Sequence, residues 1–438
     1  MNPVMIHDDG MGRAVPGEAA FATVPEAHAY LFGLRRFGVK WGLGPIAAAL
    51  RALGSPQRAF PSVHIAGTNG KGSTAAMTAA LLTAQGLRTG LFTSPHLERF
   101  SERIRVDGVE LSDADLIAAL DKVRACGVPL SFFETATAMA FLHFANVGVD
   151  LAVVEVGLGG RLDATQWIRP CASAITSLGS DHCLALTGSP ERVAWEKASI
   201  AAPGVPMVLP GDLTGPQLEA VLRTLAARGA VPLRCGVDWG FSVEGSRIRW
   251  NFGEEPAAVV DVPLLGEHQP ANCAMALTLA RLALGRPLDL TAPFSDFSWP
   301  GRMESIDGLW LDGAHNPPAL SSLVRTVSGL GLAPLPVIVG FMADKDVSRS
   351  LRILGAIATG FHCTVVEDSD RALPAAELAD QVRQLGLPVA SVTTCVADAL
   401  AQAPRPSLIA GSFYLAGRAR SLLMRHKASD ARLSDPSC

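Results

Sequence analysis

Short, almost wholly apolar runs alternate with stretches of helical periodicity along most of the chain, as expected for parallel strands buried on both faces and joined by helices. The first run, Val63 to Ala66, passes through a glycine-rich turn into a helical stretch from Ser73 to Gln85 that closes on Gly86, and Thr89 to Thr93 forms the next strand. Leu151 to Val156, Ala172 to Thr176 and Val205 to Leu209 repeat the strand pattern. Between the last two, Ser189-Pro190-Glu191 supplies an N-cap, a proline at the first helical position and a first-turn acid, opening a helix that Pro203-Gly204 ends. Upstream, Ala27 to Gly54 reads as two helical pieces broken around Gly42-Leu43-Gly44-Pro45.

The rhythm breaks at 231–265, where alternation such as Ser246-Arg247-Ile248-Arg249-Trp250 predicts short antiparallel strands ahead of a helix from about Ala271 to Leu284. Residues 286–301 contain three prolines and little periodicity, which marks a linker. Beyond it, strand candidates at Leu309 to Leu311, Val337 to Gly340, His362 to Val366 and Leu408 to Ala410 alternate with helices.

A chain of 438 residues is too long for one ordinary core, so two domains are expected. Aromatics make up only 6% while alanine and leucine are plentiful, which suits helices layered on parallel sheets. The net charge of −4, with no Lys/Arg cluster, argues against a nucleic-acid partner. Eight scattered cysteines without a C-x-x-C pair signal neither a zinc knuckle nor a disulfide framework. Met1 to Gly17 lacks the basic patch and apolar block of a secretory signal, and no apolar run approaches the ~18 residues of a membrane span. The expectation is a cytoplasmic monomer with no membrane partner.

The candidate chemistry starts at the first strand. In G-T-N-G-K-G-S at 67–73, glycines let backbone N–H groups converge on anionic oxygens, the following helix adds the positive end of its dipole, and Lys71 adds a point charge. The strict pattern G-x-x-x-x-G-K-[ST] would need glycine at Ile65 and a hydroxyl at Gly72, so this is a variant of the nucleoside-triphosphate loop. The plainer alternative is a glycine-rich turn carrying a solvated lysine. Glu155 ends an apolar strand where open α/β sheets place ligands, as a Mg²⁺ ligand or as the partner of a cation such as Arg161. Three glycines within 157–160 mark a loop that approaches a ligand closely, and His182 stands after the next strand, where an imidazole can complete a metal site or be structural. Lys197, taken alone, reads as a surface lysine paired with an acid.

Together these residues resemble the folylpolyglutamate synthase/dihydrofolate synthase family, part of the superfamily of ATP-dependent Mur-type amide ligases. The similarity spans most of the chain: G-T-N-G-K-G-S at 67–73, S-P-H-L at 94–97, E-R-I at 102–104, F-F-E at 132–134 and E-V-G-L-G-G-R-L-D-A-T at 155–165. It continues through S-D-H at 180–182, E-K-A at 196–198, G-E-H-Q-x-x-N at 266–272 and W-P-G-R-M-E at 299–304. L-D-G-A-H-N-P at 311–317, D-K-D at 344–346 and G-S-F-Y-L at 411–415 complete it. The fold expected is α/β: a P-loop NTPase-like N-terminal domain with a mainly parallel sheet over 1–290, carrying the ATP and pterin sites. A linker at 291–301, a smaller Rossmann-like α/β glutamate-ligase domain over 302–425 and a disordered tail over 426–438 follow.

The resemblance implies that Thr68, Asn69, Gly70, Lys71, Gly72 and Ser73 hold the ATP phosphates and that Ser94, Glu155 and His182 hold Mg²⁺, with two metal sites in all. Asn272 then faces the nucleotide base, Arg302 reaches the phosphates and Asp312 the ribose, with ATP between the domains. Lys197 matches a lysine that is carbamylated in the family, and is counted with Lys71 and His315 as catalytic. Phe133, Glu134 and the Leu162-Asp163-Ala164 turn match the pterin pocket; His315 and Ser412 fall where glutamate binds, against the structural alternatives of a capped turn and a helix N-cap.

Three positions depart from the family pattern: Gln166 stands for asparagine, Cys183 for threonine and Ser199 for glycine. The implied activity is ATP-dependent addition of L-glutamate to dihydropteroate and to reduced folates through an acyl phosphate. Alternatives are a monofunctional folylpolyglutamate synthase, a nucleotide-binding regulator without turnover, and a peptidoglycan Mur ligase. The last is disfavoured because only about sixty residues precede the loop, too few for a further sugar-nucleotide domain.

Overall fold

The computed structural model describes residues 20–34, 42–179, 189–295, 297–367, 369 and 371–433. Two compact units divide the chain. The first comprises 1–95, 101–238 and 275–293, and the second 96–100, 239–274 and 294–438. The single boundary expected at 291–301 is therefore only one of several crossings. The segments 96–100 and 239–274 group with the second unit although they precede the linker, and the helix Gln269–Leu284 is divided between the two.

The first unit is built on eight strands: β1 (Ser62–Ala66), β2 (Thr89–Phe92), β3 (Ile104–Val106), β4 (Val109–Glu110), β5 (Leu151–Glu155), β6 (Pro170–Ile175), β7 (Pro206–Leu209) and β8 (Val231–Arg234). Their order is β4-β3-β2-β5-β1-β6-β7-β8, parallel from β2 to β8 with an antiparallel edge at β3 and β4. β1 and β5, the strands read as most apolar, are buried along their whole length. Residues 231–234 join this sheet as a parallel edge strand, correcting the expectation that antiparallel structure begins at 231. Chain order reverses at β1, which has β5 on one side and β6 on the other, and open sheets bind ligands outside the carboxyl ends of strands at such a point.

Helices start and stop where the local chemistry allows. Helix Phe132–Val147 opens on a capping box in which Ser131 and Glu134 satisfy each other's backbone N–H groups, and it stops at Gly148 with φ 69°. Helix Pro190–Ala198 has the expected Ser189 cap, whose hydroxyl accepts from Arg192 N. On one side of the sheet, Ala66, Val156, Ile175, Ala194, Ala198, Met207, Val221 and Leu225 form a continuous core.

In the second unit, β9 (Trp239–Glu244), β10 (Arg247–Phe252) and β11 (Ala258–Asp261) form the expected antiparallel sheet. A six-stranded sheet follows from β12 (Glu304–Ile306), β13 (Leu309–Leu311), β14 (Leu335–Val339), β15 (Ala358–Cys363), β16 (Val389–Val392) and β17 (Ser407–Ala410). Its order, β12-β13-β17-β14-β15-β16, is parallel except for β12, and β17 inserted between β13 and β14 again reverses the chain order. The last helix runs Phe413–Leu433, so 426–433 is helical where a disordered tail was expected. Alanine, leucine, lysine and arginine dominate that stretch, and all propagate helices well. Among the described residues, no helix is long and apolar enough to cross a membrane.

Candidate active site

The turn that leaves β1 is braced from the end of β6. Thr68 N donates to Ser177 O at 2.9 Å, and Asn69 N to Ser177 Oγ at 2.9 Å. The Asn69 carbonyl accepts from Thr176 Oγ1 at 2.6 Å and Ser177 Oγ at 3.0 Å, while Thr68 Oγ1 accepts from Gly179 N at 2.9 Å. A Cβ on Gly67 would lie 1.9 Å from Thr176 Oγ1, so only glycine lets the two segments meet. Gly70, at φ 84°, turns the chain into helix Lys71–Ala84, where Gly72 and Ser73 occupy the first turn. Residues 68–73 thus form one cradle at a helix N-terminus. Thr176 and Ser177 were not singled out from sequence, although two hydroxyls ending a strand beside a phosphate loop are a usable signal.

Lys71 Nζ lies 3.2 Å from Thr68 O and 3.9 Å from Glu155 Oε1. Glu155 Oε2 accepts from Ser94 N at 2.8 Å, which brings Ser94 beside the carboxylate. Arg161, the cation weighed as a partner for Glu155, pairs instead with Glu196 at 3.1 Å and lies over the Trp195 ring. Lys197 is not on the surface. It is 2% exposed, and its Nζ donates to Gly67 O at 2.7 Å. His182, with Ser180, Asp181 and Cys183, lies outside the described residues.

Among the described residues no group of three or more His, Cys, Asp and Glu could hold a metal. A carboxylate with Ser94 next to it, beside an anion cradle, nevertheless suits magnesium, a hard cation that binds through one or two carboxylates plus phosphate oxygens and keeps several waters.

The loop after β5 folds over Phe133. A Cβ on Gly157 would fall 2.4 Å from Phe133 Cζ, and Arg161 N donates to Glu196 O, which docks the loop on helix Pro190–Ala198. Asp163 caps the 3-10 turn Ala164–Trp167. Its carboxylate takes Thr165 N at 3.0 Å, Thr165 Oγ1 at 2.6 Å and Leu158 N at 3.0 Å. Burial pushes this carboxyl up, while those donors pull it down. Because the Thr165 hydroxyl donates to Asp163, it accepts from His64 Nε2 at 2.9 Å, which ties the loop to β1. Burial depresses His64 to about 3, so the ring is neutral.

Glu134, expected in the same pocket, spends Oε2 on Ser131 N and Oγ at 2.8 and 2.7 Å. The S-x-x-E spacing at 131–134 carried that signal. Leu162 and Ala164 flank Asp163 in the same turn. Two departures from the family pattern meet here, for Gln166 Nε2 donates to Ser199 O at 3.1 Å.

In the second unit, the loops leaving β13 and β17 come together, with Asp312 N donating to Ile409 O and Gly411 N to Ala314 O. Asp312 accepts from Met303 N at 3.0 Å and Ala314 N at 2.8 Å. The first bond fixes Met303, at φ 47°, in a left-handed turn directly after Arg302. Arg302 Nη1 donates to Gly301 O at 3.0 Å, and its guanidinium lies over the Phe413 ring. His315 Nδ1 is 2.9 Å from Gly313 O, so it carries the proton and Nε2 is the acceptor. Ser412 Oγ accepts from Tyr414 N at 3.2 Å, the helix-capping alternative weighed for it. Asn272 Nδ2 donates to Gln269 Oε1 at 3.0 Å.

Two family models match: the Mur ligase middle domain over residues 65–280 and the Mur ligase glutamate ligase domain over 301–413. The folylpolyglutamate synthase of Lacticaseibacillus casei is 33% identical over 92% of this chain and 99% of its own length. A probable bifunctional folylpolyglutamate synthase/dihydropteroate synthase of Halobacterium salinarum is 37% identical over 90% of this chain, which spans about half of that relative (51%). The structure of Escherichia coli FolC in complex with DHPP and ADP aligns with TM-score 0.84 at 26% identity, covering 95% of this chain and 100% of that one. The Yersinia pestis bifunctional folylpolyglutamate synthase/dihydrofolate synthase complexed with AMPPNP and Mn ion gives TM-score 0.83 at 29% identity, covering 93% and 100%.

Proposed function

The chain belongs to the folylpolyglutamate synthase/dihydrofolate synthase family of Mur ligases, and from that premise we propose that it joins L-glutamate to dihydropteroate and to reduced folates, using ATP and a divalent cation, Mg²⁺. The observation that carries this reading is the braced cradle at residues 67–73 with Lys71, Glu155 and Ser94 converging beside it. Relatives solved with ADP, AMPPNP, manganese and DHPP support the choice of ligands.

A carboxylate oxygen is a poor leaving group. In the proposed route it attacks the γ-phosphorus and ADP departs; the glutamate amine then attacks the acyl carbon, loses a proton and expels inorganic phosphate. The chain's part is positioning and charge. Backbone N–H groups of the cradle and Lys71 meet the phosphates, Arg302 adds a second cation, Asn272 meets the base and Asp312 the ribose. Glu155, Ser94 and His182 hold the metal, which neutralises phosphate charge when bound. Phe133 and the Leu162-Asp163-Ala164 turn face the pterin, and Glu134 shapes that pocket by capping its helix. His315 Nε2, the nitrogen with the lone pair, takes the ammonium proton, with Ser412 beside the glutamate. Lys197 acts on the cradle through Gly67, as an amine or as its carbamate. The six free cysteines among the described residues fit a cytoplasmic location.

The test supplies purified protein with Mg-ATP and glutamate and follows ADP. Release on adding dihydropteroate, and again on adding a reduced folate, is expected. Release with the reduced folate alone makes the enzyme a monofunctional folylpolyglutamate synthase, and release indifferent to glutamate removes the ligase reading.

A further inference from the structure

Phe413 is the half-buried first residue of the last helix, and it belongs to the G-S-F-Y-L stretch in which only Ser412 has a part in the proposed reaction. Its ring lies against the Arg302 guanidinium, whose Cζ stands 4.9 Å from the ring centroid. Arg302 Nη1 also donates to Gly301 O at 3.0 Å, and the same carbonyl accepts from Gly313 N at 2.9 Å. Gly313 completes the arrangement by what it lacks. A Cβ there would fall 2.3 Å from Phe413 Cδ2 and 2.6 Å from Arg302 Nη1, so one methyl group would dislodge ring and guanidinium together.

Backbone bonds hold these three residues in place. Asp312 N donates to Ile409 O at 3.0 Å and Gly411 N to Ala314 O at 2.9 Å, which ties the segment carrying Gly313 to the one entering the Phe413 helix. Glu304 Oε2 accepts from Gly301 N at 2.9 Å and Asp312 Oδ2 from Met303 N at 3.0 Å, so the residues before and after Arg302 are both fixed. The means of holding matters to the charge. A carboxylate grips a guanidinium by cancelling it, whereas an aromatic face attracts it through a quadrupole and leaves the net positive charge available to an anion.

We propose that Phe413 is a positioning residue that holds the Arg302 guanidinium ready for the phosphates of ATP, and that position 313 is glycine because this stack needs the space. The inference rests on the proposed function in taking Arg302 as a cation for those phosphates; Phe413 itself touches no substrate. An arginine that swings freely must surrender several rotatable bonds on meeting an anion, and the stack removes much of that cost in advance.

The test measures Mg-ATP affinity by titration calorimetry in the wild type, Arg302→Ala, Phe413→Leu, Phe413→Tyr, Gly313→Ala and the double variant Phe413→Leu/Arg302→Ala. The expected loss is about tenfold or more for Arg302→Ala, and about three- to tenfold for Phe413→Leu and for Gly313→Ala. Phe413→Tyr keeps the aromatic face and should bind as the wild type does. Once the arginine is gone, Phe413→Leu should cost nothing further. A ring that served only as packing would lower affinity by the same factor in both backgrounds. That multiplicative result overturns the inference, as does wild-type affinity in Phe413→Leu or Gly313→Ala, or a loss in Phe413→Tyr equal to that in Phe413→Leu. Should Arg302→Ala bind ATP as the wild type does, the phosphate role of the arginine falls and the inference with it. Multiplicative losses after a clear effect of Arg302→Ala strike the inference alone.

Discussion

Lys197 Nζ and the Gly67 carbonyl oxygen are joined by a 2.7 Å hydrogen bond, so a buried amine from helix Pro190–Ala198 holds the first peptide of the phosphate cradle. An amine buried in that position is costly to charge, and conversion to a carbamate replaces it with a group able to serve the metal site.

Carbamylation of Lys197 is the first prediction. The peptide containing Lys197 should gain the mass of one CO₂ in native digests, and activity lost on acid stripping should return with bicarbonate. Lys197→Ala should lose on the order of a hundredfold in kcat and show no bicarbonate response. A wild type insensitive to bicarbonate leaves Lys197 an amine that donates to Gly67.

Gly157→Ala should damage the proposed pterin pocket specifically. The new methyl group would lie 2.4 Å from Phe133 Cζ, so the ring must move away from its place beside Phe92. Overpacking of this kind costs about 1–3 kcal/mol of stability. KM for dihydropteroate should rise about tenfold, with kcat less affected and KM for ATP unchanged in steady-state assays.

His64 makes stability depend on pH. Its folded value, about 3, lies below the ordinary 6.5, so between those limits the unfolded chain binds the extra proton. The contribution is intact above about pH 6.5 and is lost progressively as pH falls toward 3, with about 2 kcal/mol lost by pH 5. Urea midpoints for the wild type should fall more steeply between pH 7 and 5 than those of His64→Gln. Parallel curves would show that the ring does not govern this window.

Asp312→Asn should both destabilise the second unit and weaken nucleotide binding. The carboxylate accepts from Met303 N and Ala314 N, and an amide NH₂ would face one of those donors. A buried donor left without its acceptor costs about 1–3 kcal/mol. Chemical denaturation should report that loss, and KM for ATP should rise because Arg302 precedes the released Met303. A variant with wild-type stability would mean that Met303 N finds another acceptor.

The parallel architecture and the cradle were legible because they follow from local patterns: apolar runs for β1, β5 and β6, and a glycine-lysine-hydroxyl turn between β1 and its helix. Strand β3 and the edge strands β4 and β16 were missed because each is only two to four residues long and none is wholly buried. The grouping of 239–274 with the second unit depends on contacts remote in sequence, such as Glu267 with Arg325 and His268 with Ser322. No local pattern announces them. Lys197 was misjudged for the same reason, since its partner lies 130 residues away. Glu134 caps its own helix, a role that the S-x-x-E spacing carries and that the resemblance-based assignment to the pterin pocket did not use.

Thr176 and Ser177 have a consequence for the kinetics of capture. Because hydroxyls from the neighbouring strand, and not the arriving anion, set the shape of the turn at Asn69, little chain freedom remains to be surrendered on association. Such a receptor is moulded in advance, so loss of either hydroxyl should slow productive encounter before it touches the bond-making step.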